Sequence, residues 1–158
     1  MKITLTEGEY AKCVRDGTDR WLVNRIKGNP KSSIVKPGII DNEVIGLMAE
    51  MAFSKWKNIP MPADILNFEG ACDFVIGNFR IDIKATINKG GHLIAPTSTK
   101  LEKATVYLLA IVEGLTVDFV GWALASELIH KDNIVQLQTP AYRIMRSDLR
   151  RFKEEVAV

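Results

Sequence analysis

Apolar residues recur at roughly helical spacing over residues 6–26, where Tyr10, Cys13, Val14, Trp21, Leu22 and Ile26 follow a Thr6-x-x-Glu9 capping pattern. This predicts a first helix, with Gly17 as a break or kink near its middle. Residues 27–40 carry two prolines, two glycines and three lysines and read as a loop. A second helix is expected over 42–57, with Asp41 as its N-cap and Glu43 in the first turn, where the helix dipole favours a carboxylate. From Val44 to Trp56 that helix is apolar on nearly every side, the pattern of a buried helix, and Glu50 is the exception.

Period two replaces the helical period after a 58–70 loop with Pro60, Pro62 and Gly70. Strands are expected at 72–76 and 79–84, joined by Gly77-Asn78, a two-residue hairpin turn. Further strands are expected at 92–95, 105–112 and 115–120, the last two joined at Glu113-Gly114. A short helix near 124–130, a loop, and a helix from Ser147 to the C-terminus complete the order. Two helices, a run of strands and a closing helix imply an α/β or α+β layer arrangement with a mixed sheet.

Composition narrows the class. The chain of 158 residues is 47% apolar and 25% charged, which suits one globular domain and excludes global disorder. No apolar run is long enough to span a membrane, and MKITLTEGEY turns polar at once, so neither a membrane helix nor a signal peptide is expected. Cys13 and Cys72 have no zinc-ligand spacing, and the default compartment is a reducing cytoplasm. A net charge of +2 is too weak for a non-specific DNA coat protein but compatible with an enzyme that has one local basic patch.

The chemistry concentrates at the hairpin. If Gly77-Asn78 is the whole turn, Ile76 faces Phe79, Val75 faces Arg80, Phe74 faces Ile81 and Asp73 faces Asp82. Phe74, Ile76, Phe79, Ile81 and Ile83 then share the core face, and Asp73, Arg80, Asp82 and Lys84 the other. Two opposed aspartates repel, so a cation is expected between them: Lys84, or a divalent metal that prefers carboxylate oxygens. A buried helix packs on a sheet, so Glu50 is expected to point at the same polar face, with Gly46 one turn earlier leaving room for close approach. Three carboxylates and a lysine at one point suit one or two Mg²⁺ or Mn²⁺ ions and an attacking water.

Gly46-Leu-Met-Ala-Glu50, then Asp73, then Asp82-Ile83-Lys84, resembles the PD-(D/E)XK nuclease superfamily, the restriction-endonuclease-like fold. Val106–Val112 and Val120-Gly-Trp-Ala look like its later core elements, so the resemblance spans about residues 41–130. The wider pattern, including Gly91-His92-Leu93-Ile94, is similar to small phage-encoded proteins. Cys72 stands where the family's name puts proline. The resemblance implies an αβββαβ core with flanking helices and a metal-dependent DNA endonuclease. Asp73, Asp82, Glu50 and the Ile83 carbonyl would bind metal and Lys84 would assist the water. It also implies a cytoplasmic protein, of the host cell if phage-encoded, and leaves a homodimer open.

Plainer readings compete. Asp82 and Lys84 can be a solvated surface pair, and Glu50 can pair with Arg15 or Arg20. Trp21, Trp56 and Trp122 read as core. Arg80, Thr86, Lys89, His92, Arg143 and Arg146 are candidate nucleic-acid contacts. Arg150, Arg151 and Lys153, and Lys27, Lys31 and Lys36 in the 27–40 loop, extend the basic set. The rival function is a non-catalytic nucleic-acid-binding or phage assembly protein that keeps the fold. No Ser-His-Asp or Cys-His arrangement and no glycine-rich phosphate loop is readable.

Overall fold

A computed structural model describes residues 1–26, 39–62 and 72–153. Strand β1 (Lys2–Thr4) precedes helices α1 (Glu7–Ile26) and α2 (Ile39–Lys57). Strands β2 (Phe74–Ile76), β3 (Phe79–Thr86), β4 (Leu93–Pro96), β5 (Val106–Glu113) and β6 (Thr116–Leu124) follow. Then come α3 (Ala125–Leu128), β7 (Ile134–Gln136) and β8 (Pro140–Ile144). The fold is α+β with a mixed five-stranded sheet in the order β1-β6-β5-β3-β2 and a second, antiparallel sheet in the order β4-β8-β7. No described helix is long and apolar enough to cross a membrane.

The α1 capping pattern forms as its residue types require: the Thr6 hydroxyl accepts from the Glu9 amide at 3.1 Å and the Glu9 carboxylate from the Thr6 amide at 2.7 Å. Gly17 does not break the helix. A Cβ there would lie 2.9 Å from Val44 Cγ2 and 3.1 Å from the Val44 amide, so its absence lets α1 lie against α2. Helix α2 starts at Ile39, which moves Asp41 from the N-cap into the first turn.

Strand β5 is the centre, with every residue from Tyr107 to Val112 buried. It runs parallel to β3 and antiparallel to β6. On one sheet face Ile81, Ile83, Leu108, Ala110 and Phe119 meet Val44, Leu47, Met48 and Phe53 of α2. On the other, Tyr107, Leu109, Ile111 and Val120 meet Leu93 and Ala95 of β4 and Leu128 of α3. Each aliphatic side chain so buried contributes about 1.5–3 kcal/mol. Both long helices therefore sit on one side of the five-stranded sheet, and the second sheet covers the opposite face. The order after α2 departs from αβββαβ. The parallel crossover from β3 to β5 holds β4 and a three-residue 3-10 turn, Leu101–Lys103.

The expected C-terminal helix is absent over its described part. Arg146–Asp148 is a 3-10 turn, Leu149 is buried, and Arg150 makes a two-way antiparallel bridge with Trp122, 3.0 Å in each direction. Gly121 makes that crossing possible, since a Cβ there would lie 2.7 Å from Leu149 Cβ and 2.9 Å from the Arg150 carbonyl. Strands β7 and β8 occupy a stretch read as loop, because they are short and acquire order from pairing with β4.

Candidate active site at the β2–β3 hairpin

The hairpin has the expected register: Ile76 pairs with Phe79, Val75 with Arg80 and Phe74 with Ile81. Gly77 turns the chain at φ +57°, a left-handed value that costs glycine nothing. Phe79, expected in the core, is 57% exposed because it caps the end of the hairpin. Asp73 lies one residue before the β2 ladder; its amide donates to the Ile81 carbonyl at 2.9 Å. Its Oδ2 accepts the Ile83 amide proton at 2.6 Å, so the carboxylate acts at the β3 edge as a strand carbonyl would.

Asp82 is 1% exposed, which excludes a solvated surface pair. It faces away from α2, beside its β5 register partner Tyr107. Two ammonium groups reach it, Lys84 Nζ at 2.6 Å from Oδ2 and Lys103 Nζ at 2.6 Å from Oδ1. The Lys84 approach is outside hydrogen-bond geometry, and Asp82 Oδ2 has no hydrogen bond among the described residues. Lys103 was not foreseen. It ends the 3-10 turn just before β5, and the parallel β3–β5 pairing brings that turn alongside Asp82. A residue about twenty positions downstream gives no local sequence signal of that kind.

Glu50 is buried on α2, which packs on the Ile81 and Ile83 face of the sheet. Its partner is Arg20 of α1, with Nη1 3.2 Å from Glu50 Oε1 and 3.9 Å from Glu43 Oε2. The Arg20 alternative is thus the observed one. Glu50 remains within electrostatic reach of both aspartates. Burial raises its pKa, Arg20 pulls it back, and Asp82 adds to the rise. Burial, then Asp82 and Glu50, push Asp73 up to about 7 against the opposing Ile83 hydrogen bond and Lys84 charge. Burial alone would lower Lys103, yet Asp82 beside it, with Asp73 and Cys72, leaves the ammonium above its usual value.

Lys84 and Lys103 thus both reach Asp82, and Arg20 serves Glu50 and Glu43, while Asp73 feels the Lys84 charge but has no ion pair among the described residues. The expectation of a single lysine facing three carboxylates is corrected on this point. Among the described residues no three His, Cys, Asp or Glu side chains converge closely enough to hold a metal together.

Beside Lys84 opens a cavity of about 530 Å³, lined among others by Gly46, Thr86, His92 and Arg143. A Cβ on Gly46 would meet nothing within 4 Å, so this glycine leaves the wall open. His92 Nδ1 accepts the Arg146 amide proton at 3.1 Å; in the neutral ring the proton then resides on Nε2, a donor. Arg146 Nη1 donates to the Lys89 carbonyl at 2.5 Å, and Lys89 Nζ is 2.5 Å from Glu113. Arg80 is exposed near the hairpin turn, with its backbone tied to the Thr105 hydroxyl. Of the basic candidates, Lys84, His92 and Arg143 thus share one cavity; Lys89 and Arg146 are held by local partners, and Arg150 pairs with Glu127. Lys27, Lys31 and Lys36 lie outside the described residues. A larger cavity of about 640 Å³ near Glu127, Asp148 and Arg150 contains none of Asp73, Asp82 or Lys84.

No family model, no curated protein and no solved structure matches the chain.

Proposed function

We propose that this chain hydrolyses nucleic-acid phosphodiester bonds, DNA foremost, as a Mg²⁺- or Mn²⁺-dependent endonuclease with a restriction-endonuclease-like site. The observation that carries the reading is Asp82, buried between two lysines and next to Asp73, with one of those lysines, Lys84, also lining a cavity that it shares with His92 and Arg143. The donor chemistry suits a hard cation: carboxylate oxygens, with Asp82 Oδ2 free of hydrogen bonds among the described residues. Asp73 and Asp82 would hold it, with Glu50 and the Ile83 carbonyl as further ligands. As the side chains stand, Lys84 and Lys103 at Asp82 and Arg20 at Glu50 must yield for that set to assemble. A bound divalent ion would lower the pKa of a water and neutralise phosphate charge. The chain's own part is to place and hold charge. Lys84 offers an ammonium to the attacking water or the scissile phosphate, while Arg143 and the His92 Nε2–H offer donors to flanking phosphate oxygens. Asp73, tied to the Ile83 amide, keeps the hairpin edge in register with Asp82.

The test is cleavage of plasmid and branched DNA with Mg²⁺ or Mn²⁺ and its loss with EDTA. Lys84→Ala should keep the fold and lose rate by about 10²-fold or more, the scale for removing one charge-stabilising group. The rival, a nucleic-acid-binding or phage assembly protein without catalysis, is favoured by one observation: Asp82 and Glu50 already have basic partners where a metal would need their oxygens. It replaces the enzyme reading if no DNA or RNA is cut while wild type and Lys84→Ala bind nucleic acid equally. Sedimentation with and without DNA would reveal the homodimer that two-strand cleavage calls for.

A further inference from the structure

We propose that Lys103 is the resident counter-cation of Asp82, and that a divalent metal gains this carboxylate by displacing Lys103. The proposal rests on the metal-dependent reading above. Its starting point is the cost of a buried charge: Asp82 is 1% exposed, and an ionised carboxylate so placed needs a partner. Lys103 supplies it at 2.6 Å from Oδ1. The backbone that presents Lys103 is anchored. The Thr105 amide donates to the Arg80 carbonyl at 2.8 Å, and Tyr107 stands in register with Asp82. The side chain is not so confined. It ends a surface 3-10 turn, it is 29% exposed, and a four-carbon stem can carry its ammonium into water.

Two further features mark this place as one where an occupant changes. Asp82 Oδ2 makes no hydrogen bond among the described residues although Lys84 lies 2.6 Å away. The Tyr107 hydroxyl, on a side chain 0% exposed, is also without a hydrogen bond among the described residues. Buried polar atoms in that condition call for a water or a ligand. With Lys103 in place Asp82 is flanked by two ammonium groups and has no excess negative charge to draw a cation. With Lys103 turned out to solvent, one negative charge is uncovered where an ion would sit, and the released ammonium stands at the rim of the site.

The experiment is Mn²⁺ binding by electron paramagnetic resonance, with Mg²⁺ by calorimetry, on wild type, Lys103→Gln, Lys100→Gln and Asp82→Asn. Lys103→Gln should tighten Mn²⁺ binding by about tenfold or more, since it removes the competitor. Lys100→Gln removes the same charge from an exposed position three residues away and should change affinity by less than about twofold. Asp82→Asn should lose the site. Unchanged or weaker binding by Lys103→Gln, with wild type still binding through Asp82, overturns the competition and leaves the metal site standing. No saturable binding by wild type and by Lys103→Gln overturns both. If Lys103→Gln does not fold, wild type carrying ¹³C-methylated lysines answers the same question. The Lys103 resonance, assigned by its loss in Lys103→Arg, should move towards the exposed-lysine position as Mg²⁺ is added. A Lys103 resonance that stays in place while Mg²⁺ binds overturns the proposal.

Discussion

Asp73→Asn should stabilise the metal-free protein at neutral and alkaline pH, with the gain shrinking as pH falls. Burial and the Asp82 and Glu50 charges raise Asp73 from 3.8 to about 7 in the folded state. The unfolded chain sheds this proton near 3.8, the folded chain near 7. Between those values the folded state binds more protons, so the Asp73 contribution to stability falls as pH rises. At about 1.36 kcal/mol per pKa unit, the cost has a ceiling of about 4 kcal/mol at pH 8 and of under about 2 kcal/mol at pH 5. Asparagine carries no charge, and its carbonyl oxygen can still accept the Ile83 amide proton that Oδ2 accepts at 2.6 Å. Asp73 is only partly buried, so about half the ceiling is the expected gain, about 2 kcal/mol at pH 8 and under about 1 kcal/mol at pH 5. For a chain of this size the pH 8 value corresponds to a melting point higher by about 4–8 °C. Urea unfolding in EDTA, followed by tryptophan fluorescence at pH 5, 6.5 and 8, measures it. A mutant less stable than wild type at pH 8, or a difference that does not vary with pH, refutes the reasoning.

Mg²⁺ or Mn²⁺ should raise the wild-type melting temperature by linkage, and Asp73→Asn with Asp82→Asn should abolish the rise; an equal rise in both would place the ion elsewhere. Two glycines of the same helix pair should respond in opposite directions. Gly17→Ala forces a methyl to within 3.1 Å of the Val44 backbone amide and should cost about 1–3 kcal/mol, read by urea denaturation. Gly46→Ala enters open space within α2 and should gain up to about 1 kcal/mol by helix propensity, read the same way.

Local chemistry alone specified much of this protein. The Thr6–Glu9 cap, the Gly77-Asn78 turn with its register, and the burial of α2 follow from short-range rules: a side chain that satisfies a free amide, a turn that needs positive φ, a helix with no polar face. The chemistry-bearing hairpin was legible for the same reason, since alternation on two strands and a two-residue turn leave one register. Tertiary structure decided which groups meet across long separations. Lys103 joins Asp82 because β3 and β5 pair in parallel, a choice no local pattern encodes. Glu50 takes Arg20 because α1 lies on α2 at Gly17 and α2 packs on the Ile81 face, and nothing in the spacing of either helix states which sheet face it will cover. The C-terminal segment reads as helix by composition, yet backbone bonds to Trp122 and the burial of Leu149 outweigh a propensity worth tenths of a kcal/mol per residue. Short strands such as β7 and β8 owe their order to a neighbour, and the neighbour is known only once the chain has closed on itself.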